Sequence, residues 1–144
     1  MVDVLTEIQI KCRKEKVADY ASNPDNATEW YENIKSIEWK TSKPLALGSR
    51  IAFVANFMGK KLSYTYEIVE LISGKKLRMK TVEGLFPMET TYTWEIVDDK
   101  TTLMTLRNSG NPKGFSILVA PLIAVMMKKA NKKDLNKIKE ILEK

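Results

Sequence analysis

The chain has 144 residues, 44% hydrophobic and 29% charged, with 24 Lys and Arg against 18 Asp and Glu for a net charge of +6. That length and apolar content fit one domain over residues 1–144 with a substantial core. With no histidine and one cysteine, Cys12, the chain lacks imidazole acid–base chemistry, a Cys-His nucleophile, histidine zinc ligation and an intrachain disulfide.

Residues 2–12 open the chain with alternating Val4, Thr6, Ile8 and Ile10, a strand with one buried face. The same segment carries acids and lacks the basic start and apolar run of a signal peptide. A short helix follows over 14–22, burying Val17, Tyr20 and Ala21. Asn23 or Asp25 caps a second helix over about 25–33, with Pro24 near its first turn and Trp30 on its apolar side. A strand near 36–41 leads to Gly48. From there, runs at about 49–57, 62–71, 77–83, 88–97 and 101–108 are separated by Gly59, Gly74, Gly84 and Asp98-Asp99. Short strands joined by tight turns predict an antiparallel meander.

Residues 113–144 read as one long helix, with Phe115, Leu118, Val119, Leu122, Val125, Met126 and Ala130 at three- and four-residue steps, continued by Leu135, Ile138, Ile141 and Leu142. Pro121 is expected to kink it. The most apolar stretch, 115–127, is too short to span a bilayer. Lys128, Lys129, Lys132, Lys133 and Lys137 read as its solvated face, with membrane docking as a weaker alternative. No RNP-like aromatic signature or zinc-finger spacing accompanies the charge, so nucleic acid is not an expected partner. A cytoplasmic protein is the expectation.

A meander lays one face against this helix. The expected inward set is Phe53, Ala55 and Phe57; Tyr64, Tyr66 and Ile68; Leu77, Met79 and Thr81; Tyr92, Trp94 and Ile96; and Leu103, Thr105 and Arg107. Trp30 joins the expected lining, and Phe115, Leu118, Leu122 and Met126 form the roof. A solid core favours Leu, Ile and Val, whereas buried Tyr and Trp need partners for their polar ends. An aromatic face with a few polar handles suits a small-molecule pocket. Arg107, a permanent cation on that face, would need an acid such as Glu83 or Glu89, or a ligand carboxylate. That makes a hydrophobic small molecule the expected partner, with an anionic one as the option Arg107 raises. No phosphate-cradling glycine loop or nucleophile elbow is present. No catalytic residue, metal or cofactor is expected, and the oligomeric state is not indicated.

The order of these segments resembles the START/Bet v 1-like superfamily, in the polyketide cyclase/dehydrase (SRPBCC) branch. The resemblance runs through VADYASNPDNATEWYENIKSIE, with Pro24 and Trp30 in its helix pair, then LGSRIAF, the segment from YTYEIVEL to TTLMTL, and APLIAVMMKKANKKDLNKIKEIL. It implies an α+β helix-grip fold: a seven-stranded antiparallel sheet wrapped around a long C-terminal helix, with two short helices after strand 1. It also implies a cavity for lipids, polyketides or similar molecules. Members of this family carry ligands, catalyse cyclisation or dehydration, or assist a chaperone; a module docking a protein or membrane through the basic terminal helix is a further reading of this chain. Ala27, Thr28 and Arg107 depart from the residues common in relatives, and no catalytic set carries over.

Overall fold

A computed structural model describes residues 2–57, 59–84, 86–111 and 119–144. Strand β1 (Val2–Ile10) alternates as its sequence requires, with Val2, Val4, Thr6 and Ile10 buried and Asp3, Leu5 and Glu7 exposed. Helix α1 (Lys14–Ser22) buries Val17, Ala18 and Ala21. The second expected helix is divided: a 3-10 turn, Pro24–Asn26, precedes the four-residue α2 (Ala27–Trp30). Asn23 caps the turn by accepting the Asp25 backbone N–H at 3.0 Å, and Pro24 occupies the first turn, where its missing N–H costs nothing.

Six further strands complete the sheet: β2 (Ile34–Trp39), β3 (Arg50–Phe57), β4 (Lys60–Ile72), β5 (Lys76–Glu83), β6 (Met88–Asp98) and β7 (Thr101–Gly110). Their order is β1-β7-β6-β5-β4-β3-β2, antiparallel at every junction. Bulges interrupt the ladders between Ile34 and Ser36, Thr65 and Tyr66, Ile68 and Glu70, and Ile96 and Asp98. Each adds local twist and bends its strand, which lets the sheet curl. At the β6–β7 rim a side chain on Gly110 would meet the Pro87 carbonyl at 2.9 Å. Glycine is what allows that close approach.

The sheet curls around α3 (Ala120–Leu142), giving the helix-grip arrangement. The expected helical residues 113–118 lie outside the described residues. Pro121 does not kink α3: it stands in the first turn, where no helical acceptor awaits its N–H.

The phase of α3 also differs from expectation in its first half. Ile123, Asn131, Asp134, Leu135, Ile138 and Leu142 are buried, whereas Leu122, Val125 and Met126 are 52%, 66% and 37% exposed. Successive four-residue steps drift by about 40° on a helix of 3.6 residues per turn, so Leu122 ends up roughly 160° from Ile138. The buried stripe runs back from Ile138 through Asp134 and Asn131 to the half-buried Met127 instead.

The core has two parts. Ile10, Val17, Trp30, Ile51, Ile68, Leu77, Trp94, Met104, Leu135 and Ile138 belong to a solid cluster. A smaller one joins Val2, Val4 and Ile123 with Phe57, Ala124 and Met127. Among the described residues no helix is long and apolar enough to cross a membrane.

Candidate ligand-binding cavity

Between the curled sheet and the first half of α3 lies a cavity of about 360 Å³. Phe53, Ala55 and Phe57 of β3, Leu62, Tyr64 and Tyr66 of β4, Met79 of β5 and Tyr92 of β6 form its sheet wall. Ile123, Met127, Ala130, Asn131 and Asp134 form the helix wall, and Tyr31, just after α2, closes one end. The aromatic wall is ordered by ring contacts. Phe53 stacks on Tyr64 at 5.4 Å between centroids, and Tyr64 meets Tyr66 edge-on at 5.1 Å. Such pairs add a fraction of a kcal/mol to about 1.5 kcal/mol beyond area burial.

A line of hydrogen bonds crosses the cavity wall. Tyr66 Oη and Thr90 Oγ1 lie 2.8 Å apart, and Thr90 donates to Asn108 Oδ1 at 2.5 Å. Asn108 Nδ2 then donates to Asn131 Oδ1 at 3.0 Å. Asn131 Nδ2 is buried with no partner among the described residues. One turn further along α3, Asp134 is 2% exposed, and its Oδ1 accepts the Glu32 backbone N–H at 3.0 Å. Burial pushes the Asp134 carboxyl up to about 7 against that hydrogen bond, which favours the ionised form. The Tyr31 and Tyr92 hydroxyls meet at 2.5 Å. Burial raises the phenols of Tyr31, Tyr64 and Tyr92, and lifts Tyr66 to about 12, so all four stay neutral across the physiological range.

The expected site residues divide into five groups. Phe53, Phe57, Tyr64, Tyr66, Met79 and Tyr92 line the cavity. Trp30 and Trp94 are buried in the solid cluster, each packed against Tyr92. Thr81 lies where β5 turns into β6, accepting the Met88 backbone N–H at 3.0 Å. Phe115 and Leu118 lie outside the described residues.

Ile96, Leu103, Thr105, Arg107, Leu122 and Met126 are corrections; Ile96 is 65% exposed, where β6 has run past the core. Strand β7 turns Thr102, Met104 and Leu106 inward, the opposite register to the one expected. Both faces of its sequence mix Thr with apolar residues, so alternation alone cannot choose. Pairing decides: Met104 stands opposite both Ile8 and Trp94, and Leu106 opposite both Thr6 and Tyr92. Thr105 consequently bonds Thr93 on the outer face. Arg107, expected to face a ligand, Glu83 or Glu89, instead holds Asp3 of β1 with Nε–Oδ1 at 2.8 Å and Nη2–Oδ2 at 2.5 Å. Its side chain is 55% exposed. The Arg107 guanidinium holds the Asp3 carboxyl below the usual range. Leu122 and Met126 lie off the buried stripe for the helical-phase reason given above.

The residues not anticipated include Tyr31, Thr90, Asn108, Ile123, Met127, Asn131 and Asp134. The last two sit within KKANKKDLNK, where lysines disguise them as surface. The usable signal is phase, since Asn131 and Asp134 fall seven and four residues before Ile138. Among the described residues no group of acidic or cysteine side chains is placed to hold a metal ion.

The chain is similar in structure to a protein of Thermus thermophilus, with a TM-score of 0.82 at 22% identity over 96% of this chain and 94% of that one. A START superfamily protein from Mycobacterium smegmatis gives 0.84 at 11% identity, covering 98% and 97% of the two chains. The Zhui aromatase/cyclase from Streptomyces gives 0.81 at 11% identity over 98% and 93%. No curated protein matches the sequence. These likenesses show the fold. The family model described as polyketide cyclase / dehydrase and lipid transport matches residues 1–143, and the chain belongs to that family.

Proposed function

We propose that this protein binds and carries a hydrophobic small molecule, of the lipid or polyketide kind, in the cavity between the sheet and α3. The observation that carries this reading is the roughly 360 Å³ space walled by Phe53, Phe57, Tyr64, Tyr66, Met79 and Tyr92 on one side and Ile123 and Met127 on the other. A filled core would interdigitate these side chains. An apolar space of this size with a few polar groups suits a small ligand. Membership of a family described by polyketide and lipid chemistry supports the same reading.

The test is native mass spectrometry of freshly purified protein, then denaturation and organic extraction. The expected result is an apolar molecule released near one-to-one stoichiometry. Ala55→Phe, which pushes a ring into the space beside Phe53, should remain folded by circular dichroism and lose that molecule. Equal recovery from both proteins would count against the cavity.

A second reading, cyclisation or dehydration of a polyketide in the same space, is favoured by Asp134. A buried carboxyl whose pKa lies near 7 can take up and return a proton at neutral pH. The structure of the extracted molecule separates the readings. A cyclised or dehydrated product whose formation stops with Asp134→Asn supports catalysis. The same unreacted molecule from both proteins supports carriage.

A further inference from the structure

Asn131 Nδ2 is a buried donor at the cavity with no protein partner among the described residues. Asp134, on the same lining, accepts the Glu32 N–H through Oδ1, and Tyr64 lines the space as well. Asn131 is only 4% exposed. Leaving a buried donor unpaired costs about 1–3 kcal/mol. Its carbonyl is already committed to Asn108, so local rotation cannot satisfy the amide without breaking the line back to Tyr66. Asn131 and Asp134 are three residues apart on α3, on one face, with Cβ atoms about 5–6 Å apart. Together they offer a donor beside an acceptor, at the base of an apolar wall.

We propose that Asn131 and Asp134 form a subsite for an uncharged head group in which a carbonyl oxygen adjoins an N–H or O–H donor. The carbonyl accepts from Asn131 Nδ2, and the adjoining donor gives its hydrogen to Asp134. Tyr64 completes the site as either donor or acceptor. This rests on the reading that the cavity binds an apolar molecule at all. A carboxylate head is disfavoured, because it would set a second negative charge beside Asp134. Arg107 offers no relief from the outer face. Lys60 also lines the cavity, but it lies four residues before Tyr64 along β4, about 13 Å at 3.3 Å per residue.

Three probes share one chain and differ only in the head: decanamide has carbonyl and donor, methyl decanoate has carbonyl alone, and decanoate is charged. Isothermal titration of the full chain at pH 8, with Nile red as a neutral dye, gives the ranking. Decanamide should bind about tenfold tighter than either alternative, as expected for one or two added hydrogen bonds. Asn131→Leu should lower decanamide affinity about tenfold and bring it level with methyl decanoate. The ranking on the unaltered protein needs no variant to fold. Nile red bound, with the three probes equal or absent, overturns the subsite and leaves the apolar cavity standing. Decanoate binding tightest overturns it in favour of an anion site. Failure of Nile red and every probe overturns the cavity reading itself, and the subsite with it.

Discussion

Asp134 exchanges hydration for one backbone hydrogen bond, and its charged form suffers for it. Its carboxyl ionises at about 7 in the folded protein against 3.8 in an open chain. Below the lower value both states hold the proton and Asp134 is neutral toward stability. Between the two, the unfolded chain releases its proton and the folded one keeps it, so stability falls as pH rises. Above about 7 the penalty is complete. Asp134→Asn should therefore be more stable than the parent at pH 8, by roughly 2–4 kcal/mol on this linkage. The gap should close as pH is lowered toward 4. Urea denaturation of both proteins at several pH values checks this, and a gap independent of pH would remove burial of the charge as its cause. Arg107 and Asp3 show the contrary case. Theirs is a solvent-facing pair with side chains 55% and 41% exposed, where such a bond contributes about 0–1 kcal/mol.

At the level of elements, α3 has two unlike halves. Its second half inserts Leu135, Ile138 and Leu142 into the solid cluster, while its first half leaves Leu122 and Val125 in water. Leu135→Ala should cost about 2–5 kcal/mol through the hole it leaves. Leu122→Ala should change stability by less than about 0.5 kcal/mol. Thermal melts of the two variants decide, and equal losses would contradict the phase of the helix. This difference also explains what could be read beforehand. The strands and α1 were legible because each repeats its period inside a single element, bounded by turn residues such as Gly59 and Gly74. The inward face of β7 and the phase of early α3 were not. There Thr105 and Leu106, or Leu122 and Ile123, offer comparable choices, and contacts with other elements decide between them. Of the cavity, the aromatic wall was readable from β3 to β6. The polar pair on α3 was hidden among lysines.

For the whole molecule, the two-part interior predicts uneven stability. The end held by α1, Trp30 and Leu135 is tightly packed, and the end around Ile123 and Met127 borders open space. Backbone amides near Ile138 should exchange with solvent only through global unfolding, whereas those near Ala124 and Met127 should exchange through smaller openings. A bound apolar ligand should slow the second set and leave the first unchanged. Hydrogen exchange followed by mass spectrometry reads both, and uniform protection along α3 would refute the division. Strand pairing carries a consequence for the order of assembly. β1 lies beside β7, so Val2 must find Gly110 and Ile10 must find Thr102. Closing a loop of that length costs about 4 kcal/mol in chain entropy before any contact repays it. Val2, Asn108, Ile123 and Asp134 all stand on the cavity wall. A nascent chain that has not yet reached α3 has aromatic strands but no enclosed space, so the cavity can close only after α3 has been made.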